Sequence, residues 1–137
     1  MPEGNLRFGE YIRKMRLADS RELTMQDVGN HLGISVQYMS DIEKGRKKPF
    51  DRKRLAQLAK FLRLSEGETA KMYDLASRET LNIPYDIEDT FINEEVGDLA
   101  RYALRQSKAG FIVEEDWKTM IRKSEERRAG KEVVDDD

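Results

Sequence analysis

The chain has 137 residues, 38% apolar and 38% charged, enough for one domain or for a small domain with an appendage. It has no cysteine and a single histidine, His31, which removes disulfides, thiolate metal sites, thiol catalysis and any centre built from several histidines. The net charge of −2 hides an asymmetry. Residues 1–64 carry 14 Lys/Arg against 8 Asp/Glu, whereas residues 65–137 carry 11 against 19. A basic first half implies a polyanionic partner, and the change of sign implies two functional regions.

No run approaches the ~18 apolar residues of a membrane span. The first residues, Met-Pro-Glu-Gly-Asn-Leu-Arg, lack the apolar core of a signal peptide, so the expected location is cytoplasmic. Helical spacing recurs throughout and strand-like alternation is nearly absent. A first helix is expected from near Asn5, presenting Phe8, Ile12 and Met15 and fraying over residues 18–22. Thr24 is an N-cap for a short second helix with Val28 and Leu32, stopped by Gly33. Ser35 caps a third helix carrying Val36, Met39 and Ile42, which ends at Gly45. Pro49 forbids an unbroken helix across the following loop. Asp51 opens a fourth helix with the stripe Leu55, Leu58, Ala59 and Leu62. Ser65-Glu66-Gly67-Glu68 reads as a capping box, so a fifth helix should run to about Glu79.

Ile83-Pro84-Tyr85 reads as an extended linker, because the residue before proline avoids the helical region. Two further helical stripes follow, one through Val96, Leu99 and Leu104, the other through Val113, Trp117, Met120 and Ile121. The acidic groups Glu94, Glu95, Asp98 and Glu114, Glu115, Asp116 are expected in first turns of helices, where they meet the helix dipole. They are read as structural, not as metal or acid/base sites.

The informative stretch is residues 24–45, T-M-Q-D-V-G-N-H-L-G-I-S-V-Q-Y-M-S-D-I-E-K-G. Two short helices meet at Gly33, and the small Gly29 one turn earlier permits a close crossing. Val28, Leu32, Ile34, Met39 and Ile42 point to a shared core. The remaining face of the third helix, Gln37, Tyr38, Ser40, Asp41 and Lys44, is polar and mostly uncharged, the chemistry that reads base edges in a major groove. Directly after it, Lys44, Arg46, Lys47, Lys48, Arg52, Lys53 and Arg54 place seven basic residues in eleven positions. There they would clamp phosphates and release counterions.

This segment resembles the helix-turn-helix of phage-repressor-like regulators, the xenobiotic-response-element class, over about residues 5–64. The likeness is carried by I-S-V-Q-Y-M-S-D-I-E-K-G-R-K-K-P, with the Ser35 cap, Ile42-Glu43-x-Gly45 and the basic loop together. The sequence departs from the class at Met25, where a glutamine is usual and Gln26 stands next door. The connection 18–23 is also longer than usual. The resemblance implies that Arg16 and Glu43 pair beneath the DNA-binding face, and arginine suits a bidentate, partly buried carboxylate partner.

The expected fold is therefore all-α: a five-helix repressor-like DNA-binding domain over 1–80, a linker over 81–93, a small helical extension over 94–128 and an acidic disordered tail over 129–137. The expected function is sequence-specific binding of double-stranded DNA by a transcriptional regulator, a repressor acting as a homodimer on a palindrome-like operator. Val36, Gln37, Ser40 and Asp41 are the expected base contacts. Gln26, Ser35, Tyr38, Lys44, Arg46, Lys47, Lys48 and Arg52 are the expected phosphate contacts. Leu99, Phe111 and Trp117 are the expected anchors for a dimer or another protein. No cofactor, metal or membrane is implied, and an enzyme is disfavoured by the absent cysteine, the single histidine and the lack of a glycine-rich phosphate loop. The alternative is an antitoxin whose acidic C-terminal region neutralises a toxin while the N-terminal domain represses their operon. A further rival is a protein–protein adaptor that never touches DNA.

Overall fold

The computed structural model describes residues 6–135, with side chains through Lys131. Among these residues there are eight α-helices, one 3-10 turn and no strand. Two compact units divide the chain, one reaching Asp89 and one beginning at Thr90.

The first unit contains α1 (Phe8–Ala18), α2 (Met25–Leu32), α3 (Val36–Glu43), α4 (Arg52–Phe61) and α5 (Glu66–Thr80). Its core is built from the apolar stripes of all five: Phe8 and Ile12 from α1, Val28 from α2, Met39 and Ile42 from α3, Leu55 and Leu58 from α4, Met72 from α5. Phe50, in the loop before α4, closes the bottom with an edge-on contact to Phe8. Tyr11 and Leu75 are also buried.

Local signals set most helix ends. Thr24 accepts the Asp27 N–H at 3.0 Å, and the Asp27 carboxylate accepts the Thr24 N–H at 2.9 Å. This is a reciprocal capping box with aspartate in place of the usual glutamate. Ser35 caps α3 through Tyr38 N–H, Asp51 caps α4 through Arg54 N–H, and Ser65 with Glu68 forms the capping box of α5. Gly33 ends α2 at φ +72°, a left-handed conformation that costs glycine nothing. It lets the Ile34 N–H return to the Gly29 carbonyl at 2.9 Å and aims α3 across α2.

The start of α1 has no local cap. Arg7 stands at its N-cap without a side-chain hydrogen bond, and Asn5 lies outside the described residues. The cap comes instead from α5, 71 residues away, where the Glu79 carboxylate accepts the Phe8 N–H at 2.7 Å and pairs with Arg7 at 3.1 Å. A second long-range tie is the Tyr11 hydroxyl donating to the Glu68 carbonyl. Gly9 brings α1 onto the end of α3, where a Cβ would lie 2.1 Å from the Ile42 carbonyl oxygen.

The corner after α1 is tied down by arginine. Arg21 donates to both carboxylate oxygens of Asp19 and to the Phe61 carbonyl, and its guanidinium lies over the Phe61 ring. His31 stacks on Phe61 at 4.2 Å. Leu23, the last residue of this connection, is buried.

The first unit continues past residue 80, the domain limit read from the sequence. Ile83 and Pro84 are non-helical, and a 3-10 turn at Tyr85–Ile87 packs on α5. Tyr85 is half-buried against the core, and Arg52 of α4 holds this segment by a cation–π contact to Tyr85 and an ion pair to Glu88 at 2.7 Å. The stretch expected as a linker therefore carries ordered structure, including α6 (Glu88–Ile92).

The second unit contains α7 (Val96–Lys108) and α8 (Glu114–Asp135). Asn93 caps α7 by accepting the Gly97 N–H at 2.7 Å. Glu94 and Glu95 precede the helix instead of lying in its first turn, and only Asp98 of that trio is within it, paired with Arg101. Gly110 turns the chain, and Asp116 in the first turn of α8 accepts the Val113 N–H. α8 continues through Asp135, over most of the stretch expected as a disordered tail. Asp136, Asp137 and the side chains of 132–137 lie outside the described residues. Among the described residues of this unit no apolar side chain is buried.

Candidate nucleic-acid interface

The central element is α3. Met39, Ile42 and Glu43 are buried, so the opposite face is fixed toward solvent. Positions 36, 37, 40, 41 and 44 fall on that face because helical residues three and four apart are neighbours. Val36 is 46% exposed, Gln37 and Lys44 are exposed, and Ser40 and Asp41 are half-buried. Tyr38 is turned toward the core, its ring stacked on Phe50 at 6.1 Å between centroids.

Within the face, side chains orient one another. Gln37 Nε2 donates to Asp41 Oδ1 at 3.1 Å, and Arg46 approaches the same oxygen at 3.8 Å. Asp41 thus lies between an amide and a guanidinium, so its charge is compensated within the face.

Beneath α3, Arg16 and Glu43 make a forked pair. Arg16 Nε donates to Glu43 Oε2 at 2.7 Å, and the terminal nitrogen donates to Oε1 at 2.9 Å. The remaining guanidinium nitrogen donates to the Leu23 carbonyl, so α1, the corner before α2 and α3 meet on one side chain. Both residues are buried, and the hydrogen bonds to Glu43 raise the Arg16 pKa above its ordinary value. A planar fork against a carboxylate fixes α3 both in position and in rotation.

The loop after α3 is basic. Gly45 takes φ +75°, turning the chain so that Arg46, Lys47 and Lys48 are all exposed. A shallow cleft is lined by Arg7, Gly45, Arg46, Lys47, Lys48 and Pro49, with the Glu79 carboxylate that pairs with Arg7 at its edge. Arg7 enters this cluster from the start of α1, its guanidinium 2.9 Å from where a Gly45 Cβ would stand. Sequence reasoning passed over Arg7 because it lies far along the chain from the charge run. Its one signal is a position at the mouth of a helix that shares a core with α3.

The remaining expected contacts lie as follows. Gln26 is exposed in the first turn of α2, and the Ser35 hydroxyl oxygen accepts the Tyr38 N–H. Arg52 is engaged by Glu88 and Tyr85 while most of its side chain stays exposed. In the second unit Leu99 and Phe111 are 72% and 78% exposed, whereas Trp117 is half-buried and donates to Ser107 Oγ at 3.0 Å within its own hairpin.

Among the described residues no three His, Asp or Glu side chains gather as a metal site, and no helix is long and apolar enough to cross a membrane. Residues 7–72 match the family model of a helix-turn-helix domain, and the match spans all of α1 to α4. No curated protein and no solved structure matches the chain.

Proposed function

We propose that the chain is a transcriptional regulator that lays α3 in the major groove of double-stranded DNA and works as a homodimer on a palindrome-like operator. The observation that carries this reading is the exposed face of α3, locked from below by the Arg16–Glu43 fork and bordered by the basic loop. Gln37 and Ser40 read base edges, with Val36 against a thymine methyl and Asp41 holding Gln37 in orientation. Lys44, Arg46, Lys47 and Lys48, joined by Arg7, hold phosphates, with Gln26, Ser35 and Arg52 as flanking contacts; Tyr38, expected among them, packs on Phe50 instead. A single short helix reads too few base pairs alone, and two copies give the two half-sites of an operator. Repression by occluding polymerase follows from a small chain seated on a promoter.

The reading is tested by binding to a selected duplex and to random duplex across a salt series. Lys47→Ala with Lys48→Ala is expected to weaken both equally and flatten the slope of log K against log salt by about one unit per lost contact. Gln37→Ala is expected to cost ~1–3 kcal/mol on the selected site and little on random DNA. An unchanged salt slope in the double variant overturns the phosphate clamp, and equal losses on both duplexes remove Gln37 from base reading.

A further inference from the structure

Asp41 touches two members of the candidate interface at once. Its Oδ1 accepts from Gln37 Nε2 at 3.1 Å, one turn back along α3, and stands 3.8 Å from the Arg46 guanidinium. The Asp41 side chain is 18% exposed, set down on the helix, while Gln37 and Arg46 are exposed around it.

An ionised carboxylate only accepts hydrogen bonds, so the nitrogen of the Gln37 amide, and not its oxygen, has to face it. A glutamine on an open helix face is ordinarily free to turn its amide over and offer either end. Here the turned-over amide would set Oε1 against a carboxylate oxygen and lose the bond. Asp41 therefore selects one of two orientations. The amide has two N–H groups, and the one pointing away from Oε1 is the better donor to Asp41, because the other brings negative oxygens closer together. What remains for a base is one N–H beside one oxygen, a donor and an acceptor on the same edge.

That edge matches one base. Adenine presents the N7 acceptor next to the N6 amine, and a glutamine amide meets both at once. Guanine presents two acceptors, N7 and O6, so Oε1 would meet O6 with no proton between them. An amide free to turn could bring its nitrogen to O6, but one held by Asp41 cannot. Arg46, beside the same carboxylate oxygen, offsets its charge where phosphates approach.

We infer that Asp41 is a specificity-determining residue that acts through Gln37, making adenine the base read there and excluding guanine. The inference rests on the base-reading role of α3 proposed above, and adds which base is read and which residue decides it.

The probe is a duplex selected from random sequence by the natural chain. It is compared with duplexes carrying each of the other base pairs at the position where Gln37→Ala removes the preference. The natural chain is expected to favour adenine over guanine there by about tenfold or more. Asp41→Asn keeps the size of the side chain but can face the Gln37 amide either way round, so the preference should fall about three- to tenfold. Asp41→Ala removes the partner outright and should do the same, which guards against a new contact made by asparagine. Both variants lose a negative charge and should bind every duplex more tightly, a gain that cancels in the ratio between duplexes. In a Gln37→Ala background Asp41→Asn should leave the ratio unchanged, since a residue acting through Gln37 then has nothing to act on. Circular dichroism verifies that each variant keeps its helices, and if one does not, the other carries the test. Two outcomes overturn the inference while base reading by Gln37 stands. One is an adenine preference unchanged in the Asp41 variants; the other is a ratio that Asp41→Asn alters equally with and without Gln37, which makes Asp41 a base contact of its own. A natural chain that prefers a pair other than A·T at that position overturns it as well. If no position responds to Gln37→Ala, the base-reading role of Gln37 fails and the inference falls with it.

Discussion

Removing the Arg16 guanidinium leaves Glu43 buried with no cation, since both of its oxygens take their hydrogen bonds from that one group. Breaking a buried pair by deleting one partner costs ~3–5 kcal/mol. Arg16→Ala is therefore expected to lower thermal stability far more than an exposed substitution does. Arg16→Lys should recover little, because an ammonium cannot reproduce the fork and the bond to the Leu23 carbonyl together. A melting temperature within a degree or two of the natural chain in the alanine variant would defeat this. The corner at Asp19 behaves differently because it titrates. Hydrogen bonds from the Arg21 side chain and then its backbone N–H hold the Asp19 pKa at about 2, below the ordinary 3.8. A depressed carboxyl stabilises the fold above its unfolded value and loses that contribution as pH falls toward the folded one. Stability measured from pH 7 to pH 2 should thus fall more steeply below about pH 4 in the natural chain than in Asp19→Asn. Parallel acid limbs would show that the contact persists in the unfolded chain.

At the scale of elements, what the sequence discloses depends on how local the physics is. Thr24, Ser35, Asp51 and Ser65 were legible as caps because a cap is satisfied within three residues. The exposed face of α3 was legible because Met39 and Ile42 define its opposite. The cap of α1 was not, since Glu79 reaches it from another helix and no spacing in the sequence marks that pairing. The Arg52–Tyr85 contact and the order of residues 82–88 were hidden for the same reason, and Pro84 pointed only to a break. Gly9 was hidden because a glycine inside a helical pattern carries no local sign of what crosses it. Its role is testable. Gly9→Ala would set a Cβ 2.1 Å from the Ile42 carbonyl and 2.8 Å from that of Glu43, both backbone atoms that a rotamer change cannot move. α1 and α3 would have to separate, at a cost of ~1–3 kcal/mol or more. Gly67→Ala, in the first turn of α5 with open space around it, should be neutral or stabilising by ~0.5–1 kcal/mol. Equal melting temperatures for the two variants would mean that the α1–α3 crossing is looser than its geometry.

For the whole molecule, the change of charge sign and the division into units fall in different places. The sign turns near Ser65, at the start of α5, whereas the first unit runs to Asp89. Residues 65–89 carry seven Asp/Glu and two Lys/Arg, so much of the acidic excess belongs to the first unit itself, in α5 and the segment after it. Charge along a chain records which faces meet a polyanion, and those faces need not end where a core ends. The two boundaries make different predictions for truncation. A fragment of residues 1–89 retains Tyr85 against the core and the Arg52–Glu88 pair, and should unfold cooperatively. A fragment of residues 1–82 loses both and should be less stable by about 1–2 kcal/mol, mostly from uncovering apolar surface, since an exposed ion pair contributes little. The 1–89 fragment keeps α3, the basic loop and the Arg16–Glu43 fork, so its salt slope on random duplex should match that of one subunit of the full chain. What it loses is the hairpin. If the hairpin joins the copies, the fragment is monomeric and its affinity for a two-half-site operator falls by ~10²–10⁴, the gain that linkage normally supplies through effective concentration. On a duplex with one half-site, fragment and full chain should bind alike per subunit. A fragment that stays dimeric and binds the two-half-site operator undiminished would place the dimer seam within residues 6–89 and leave the hairpin to another protein.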